Sequence, residues 1–145
     1  MRLRQAGDAD LDWLADLETT CFGVDAWTRA QLAEELAADR IMLAADDHAG
    51  WIDVAVAGDA ADVLRIAVTP AQRRTGLATE LLLAAIAAAR QRGAHRLLLE
   101  VAEHNTGAIA FYTDVGFQHI HTREHYYVSG EAAWILELPI EHTTR

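Results

Sequence analysis

Two stretches of the 145-residue chain carry residues whose types and spacing could do chemistry. In "QRRTGLATELL", residues 72–82, two arginines and a glycine meet a strongly apolar, helix-like run. The first turn of a helix carries unpaired N–H groups and the positive end of the dipole, so it can hold an anion, phosphates above all. Gly76 lets the backbone come close to a ligand, and Ala78 keeps its position small. Arg73 and Arg74 supply the positive charge an anion would need in a chain of formal net charge −10. An ordinary strand-to-helix turn with solvated arginines has the same signature. The stretch lacks the G-K-[ST] ending of a nucleotide-triphosphate loop and two of the three glycines of a dinucleotide fingerprint.

The second place is "LEVAEHNTGAIAFYTDVGF", with Glu100 in an apolar strand and Tyr112 on the helix that follows. Strand alternation sends Leu97, Leu99 and Val101 to one face and Leu98 and Glu100 to the other. A carboxylate in so apolar a strand is costly unless it is solvated, paired or functional. A strand-end carboxylate meeting water or an arginine explains Glu100 as well, and Tyr112 alone reads as a core aromatic with a wet hydroxyl. His119, His121 and His125 lie close together, but no cysteine cluster or carboxylate joins them, so a solvated strand surface is expected and no metal. Cys21 reads as a small buried hydrophobe, Trp13 and Trp51 as core or half-core residues.

These residues need elements to position them. "LRQA" reads as a first strand, with Asp8 as the cap of a helix on which Leu11, Leu14, Leu17 and Cys21 recur at helical spacing. Thr28 and Gln31 form a capping box for a second helix through Ala38. "IMLAAD", "WIDVAVAG" and "DVLRIAVT" are three successive strands, the last ended by Pro70. A helix over 75–92 stops at Gly93. "HRLLLEVA" is a strand, and Asn105 caps a helix that Gly116 stops. "FQHIHTREHYYV" and "AAWILELPI" form a closing strand pair. This order predicts an α/β fold, a mixed sheet with helices on both faces, in one domain over 1–145.

Composition bounds the rest. The chain is 52% hydrophobic, which suits a packed core. One cysteine and an opening, "MRLRQAGDAD", without an apolar signal core lead us to expect a reducing, cytoplasmic location. The run "LLLAAIAAA" is too short to span a bilayer, so no membrane partner is expected. All twelve basic residues are arginine, and the acidic balance argues against a nucleic-acid surface.

Taken together, these stretches resemble the GCN5-related N-acetyltransferases (GNAT). "VTPAQRRTGLA" matches that superfamily's acetyl-coenzyme-A loop, R/Q-x-x-G-x-G/A, and "LEV…N…A…FY…GF" its following strand and helix. "FGVDAWT" and "REHYYVSGEAAWILELPI" narrow the likeness to the RimI branch, which acetylates the N-terminal alanine of a ribosomal protein. The resemblance implies a sheet of about seven strands whose fourth and fifth splay apart. It implies acetyl-coenzyme A as co-substrate, held by Arg73, Arg74, Thr75, Gly76, Leu77, Ala78 and Thr79. Ala67 and Val68 would pair with the pantetheine arm, the Val68 amide would face the thioester oxygen, and Asn105 would touch the arm. Glu100 takes the family's base position and Tyr112 its acid position. Phe22, Val24, Tyr126 and Tyr127 would line the mouth for a peptide N-terminus. A lysine or small-amine acetyltransferase, or a coenzyme-binding module without turnover, are the alternatives. The branch's proline is Ala26 here and its arginine after "LEV" is Ala102, which bears on acceptor choice.

Overall fold

A computed structural model of the protein describes residues 2–141. Within them, seven strands form one mixed sheet: β1 (Leu3–Gln5), β2 (Ile41–Ala45), β3 (Gly50–Ala57), β4 (Ala60–Val68), β5 (Arg96–Ala102), β6 (Gln118–Arg123) and β7 (Ala133–Pro139). Their spatial order is β1-β2-β3-β4-β5-β7-β6. The helices are α1 (Leu11–Phe22), α2 (Arg29–Ala37), α3 (Leu77–Gln91) and α4 (Thr106–Val115).

The sheet is covered on both faces. Leu14 and Leu17 of α1 and Leu32 of α2 close over Met42, Trp51 and Ala67. On the other face, α3 buries Leu77, Leu81, Leu82, Ala85 and Ala89 against Ile52, Val54 and Leu97, with α4 packed beside it. Those α3 positions recur at helical spacing, and the alanines among them let the helix lie close to the sheet. Each buried leucine contributes about 1.5–3 kcal/mol.

One feature of the sheet opens the molecule. β4 and β5 are parallel, but only Ala60↔Arg96, Ala61↔Leu97 and Asp62↔Leu98 pair. Beyond them the strands diverge, so the fourth and fifth strands splay as the resemblance implies. The register between β3 and β4 shifts at Asp53/Val54, where Leu64 has no partner. Such a bulge bends the strand that carries it.

Several expectations need correction at their edges. The helix expected from Thr75 begins at Leu77, because Gly76 sits at φ +89 in left-handed backbone that no helix continues through. The Thr75 hydroxyl instead donates to the Gln72 carbonyl at 2.5 Å and closes the turn before it. The strand expected to run through Val128 ends at Arg123, because His125 adopts φ +52 and turns the chain. Asp8 opens a short 3-10 turn instead, and Asp10 stands at the N-cap of α1 without a side-chain cap bond, its carboxylate accepting from the Gly7 amide and the Trp13 indole. The Arg4 guanidinium beside it holds the Asp10 carboxyl well below the usual carboxylate range. The Thr28/Gln31 box and the Asn105 cap form as expected.

Candidate active site

The splay leaves a valley between β4 and β5. Its inner part, about 310 Å³, is lined by Phe22, Arg65, Ile66, Glu100, Asn105 and Tyr112, among others. A second cavity of about 530 Å³ shares Leu64, Glu100 and Tyr127 with it and adds Arg123. A third opens outward past Phe22 and Arg65 to Asp25, Val128 and Glu131. At the head of β4 lies a separate hollow of about 290 Å³ formed by Val68, Gln72, Arg73, Arg74, Gly76, Ala78, Thr79 and Phe111.

That hollow is built from the loop. Arg74 and Gly76 both have positive φ, +65 and +89. A side chain at Gly76 would meet nothing within 4 Å, so the space before it is open. Arg73 folds back, its Nε donating to the Val68 carbonyl at 3.3 Å and its Nη2 reaching the Cys21 sulfur at 3.8 Å. Leu77 turns into the core and offers only its backbone. Ala67 is likewise buried, facing α1. Cys21, expected to be buried, is half-exposed, with its thiol 3.5 Å from the Val68 carbonyl.

Glu100 leaves the apolar strand on the side opposite to buried Leu97, Leu99 and Val101. Its Oε1 accepts from the Tyr126 hydroxyl at 3.4 Å and stands 3.6 Å from the Arg123 guanidinium. Tyr112 comes from α4 into the same inner cavity, against Phe111 and Phe117. Burial pushes its hydroxyl up to about 12. Tyr127 is also raised, by burial first and then by the charge of Glu100. Asn105 lines the inner cavity, but its side-chain oxygen is taken up by capping Ala108 at 3.2 Å.

Of the residues expected at the mouth, Phe22 and Tyr127 line the valley and Tyr126 touches Glu100. Val24 stands fully exposed at the tip of the loop between α1 and α2. The histidines stay apart from this site. His119 stacks on Trp134 and bonds Thr122, and among the described residues no group of His, Cys, Asp and Glu could hold a metal ion. His104 lines none of these cavities and pairs with Glu131 at the edge of the third.

Sequence reasoning missed Arg65, Arg123 and Glu18. Arg123 sits in a run that reads as one long strand, so its approach to Glu100 depends on the turn at His125. Glu18 looks like a solvated helix residue in "DLETT" yet is fully buried, paired to Arg65 at 2.7 Å. Charged residues that are buried together announce themselves only by their partner, which lies 47 positions away.

Comparison with known proteins agrees with this geometry. Residues 10–117 match the model of the acetyltransferase (GNAT) family. The Salmonella typhimurium [ribosomal protein bS18]-alanine N-acetyltransferase is 38% identical over 104 residues, covering 69% of this chain and 70% of that protein. An N-alpha-acetyltransferase of Sulfurisphaera tokodaii is 37% identical over 79 residues, 54% of this chain and about half, 47%, of that protein. The crystal structure of the Escherichia coli ribosomal-protein-S18-alanine N-acetyltransferase superposes with TM-score 0.86 at 29% identity, covering 99% of this chain and 96% of that one. A sheet split between its fourth and fifth strands, a loop of positive-φ residues at the head of the split, and a family match over most of the chain make this protein a member of the acetyltransferase (GNAT) family, and an acetyltransferase.

Proposed function

We propose that the protein transfers the acetyl group of acetyl-coenzyme A to the free N-terminal amine of another protein, with the N-terminal alanine of ribosomal protein bS18 as acceptor. The observation that carries the reading is the placement of Glu100 and Tyr112 in one cavity of the splay. The bS18-alanine N-acetyltransferases among its relatives support the acceptor.

Acetyl-coenzyme A supplies the activated acetyl thioester. The hollow at Gly76 suits its pyrophosphate, because the space is open, it lies at the first turn of α3 and Arg73 and Arg74 line it. Beyond Asp62, β5 gives β4 no ladder partner, so an extended arm can pair with that edge as an added strand would. The Val68 amide then stabilises negative charge on the carbonyl oxygen. Glu100, through a water, takes the proton from the attacking amine. Tyr112 gives its proton to the departing sulfur, and its raised value keeps that proton in place until then.

The acceptor class follows from proton cost. At pH 7 a neutral α-amine, pKa near 8, costs about 1 kcal/mol, whereas a neutral lysine, pKa near 10.4, costs about 4.6. One exposed carboxylate suits the first. The test is release of free thiol from acetyl-coenzyme A with paired peptides. A peptide starting with alanine should react faster than the same peptide blocked at its N-terminus and carrying lysine. Equal or faster acetylation of the blocked peptide would reject an α-amine acceptor.

A further inference from the structure

The end of α1 and the loop after it, residues 23–28, border the valley: Phe22 lines its inner cavity and Asp25 its outward one, and the loop carries no sheet ladder of its own. From the structure we infer that Arg65 is the residue that positions this border, clamping the loop to β4 through a buried ion pair with Glu18.

The clamp has four attachments. Arg65 Nη2 donates to Glu18 Oε1 at 2.7 Å, and its Nε lies 3.1 Å from both carboxylate oxygens. The same Nη2 reaches out of the pair to the Asp25 carbonyl at 3.0 Å. The guanidinium lies 3.5 Å from the Phe22 ring centroid and 4.9 Å from that of Trp27. The Glu18 carboxylate, 0% exposed, also accepts from the Trp27 amide at 2.8 Å. Both ends of the loop therefore meet on one charge pair. A buried carboxylate without its cation is strongly disfavoured, so the pair cannot drift apart to let the loop wander. A guanidinium is needed, because one planar fork serves a carboxylate, a carbonyl and a ring at once, which an ammonium cannot.

The position matters because Phe22 and Arg65, with Ala102 and Tyr127, line both the inner cavity and the outward-opening one. Arg65 stands where the inner cavity, which holds Glu100, meets the outward one. Its charge is neutralised by Glu18, so it does not repel an incoming ammonium. The backbone of the loop adds a reason. Ala26 holds φ −60, a value proline would fix, but its N–H is spent on Gly23 within the loop. The clamp from β4 supplies the restraint from outside.

The consequence for the acceptor rests on the function proposed above; the clamp itself does not. Arg65→Met alone strands a buried carboxylate and can fail to fold, so it is paired with the double variant Arg65→Met/Glu18→Gln. In the double variant, backbone amides of residues 22–27 should exchange hydrogen about tenfold faster or more, without any ligand. The KM for an alanine-starting peptide should rise by about tenfold or more, while coenzyme affinity stays within about twofold, because misplacing a substrate wall costs binding geometry there and not at the loop. Arg65→Lys should restore folding without restoring the peptide KM. Unchanged exchange at 22–27 would overturn the inference. So would faster exchange with an unchanged peptide KM. A wild-type protein that acetylates no peptide N-terminus would reject the acceptor instead, and the loop exchange would still decide the role of Arg65.

Discussion

A base must give up its proton before it can take one, and an acid must keep its own until the leaving group needs it. Glu100 and Tyr112 differ on this point, so their variants should fail differently with pH. Losing a positioned acid or base typically lowers turnover by about 10²–10⁴-fold, roughly 3–5 kcal/mol. With Glu100→Gln the amine must arrive already neutral. Turnover should be low at pH 7 and recover in part as pH rises through the amine's own pKa near 8. With Tyr112→Phe the base still works but the thiolate leaves bare, so raising the pH should not help. Near-normal turnover of Glu100→Gln at pH 7 with saturating peptide would reduce Glu100 to a strand-end carboxylate. At Gly76 the expected effect is on the coenzyme. Gly76→Val places a β-branched side chain at φ +89 and fills the open space before the loop, so the KM for acetyl-coenzyme A should rise with little change for peptide. An unchanged coenzyme KM would remove the loop from the site. Glu100 and Gly76 could be singled out locally, as a charge in an apolar strand and a glycine before a helix, but Tyr112 alone reads as a core aromatic, and the roles of all three came only with the family resemblance. Arg65, like Glu100, is a charge in an apolar strand, but nothing near it in sequence points to a partner, and Glu18 on an amphipathic helix looks solvated until that partner is known.

At the scale of elements, the site depends on β4 staying in place while β5 leaves it. Gly50 is the residue that permits this at the critical end. It opens β3 opposite Val68, and a Cβ there would stand 2.8 Å from the Ala67 carbonyl, 3.1 Å from Leu77 and 3.2 Å from Val68. The first of those is backbone and cannot rotate away. Gly50→Ala should therefore push the end of β4, and with it the Val68 amide, toward the valley. The expected loss is about 1–3 kcal/mol in stability, together with a fall in kcat, because a misplaced oxyanion donor costs turnover. A crystal structure or a kcat equal to wild type would show that the strand end absorbs the methyl group. Gly50 escaped sequence reading because "DDHAGWIDV" reads as a plain turn into a strand. Most elements were legible: the capping box at Thr28, the cap at Asn105 and the stop at Gly116 are chemical signals within a few residues. The end of β6 was not, because "REHYYV" has strand composition throughout and only the left-handed backbone at His125 turns it into the loop that brings Tyr126 and Tyr127 to Glu100.

For the whole molecule, a second carboxylate sets how stability responds to pH. Asp53 of β3 is fully buried beneath α2, and neither of its oxygens receives a donor from the described residues. The Glu35 carboxyl of α2 faces it and is itself bridged to Arg40 at 3.1 Å. Two carboxylates cannot both be ionised there. Burial first, and then the facing Glu35 carboxyl, push Asp53 up to about 8, so at neutral pH it holds its proton, while Asp53 and Arg40 hold Glu35 below its ordinary value. In the unfolded chain Asp53 ionises near 3.8. Between these values the folded state binds a proton that the unfolded state has lost. Stability therefore falls as pH rises toward 8, by at most about 1.4 kcal/mol per pH unit. Glu35 has the opposite sign, but its share is complete above its ordinary value of 4.5 and is lost only as pH falls below it. Asp10, held low by Arg4, acts in that same acidic range. Of these three carboxyls, Asp53 is the one that acts between about pH 5.5 and 8. Asp53→Asn keeps the shape and a hydrogen-bond donor toward Glu35 but has nothing to titrate. Its melting temperature relative to wild type should rise from pH 5.5 to pH 8, by about 3 °C or more for each kcal/mol that wild type loses over that range in a chain this size. Melting temperatures of the two proteins that run parallel from pH 5.5 to 8 would mean that Asp53 titrates alike in the folded and unfolded chain, and would reject a raised Asp53.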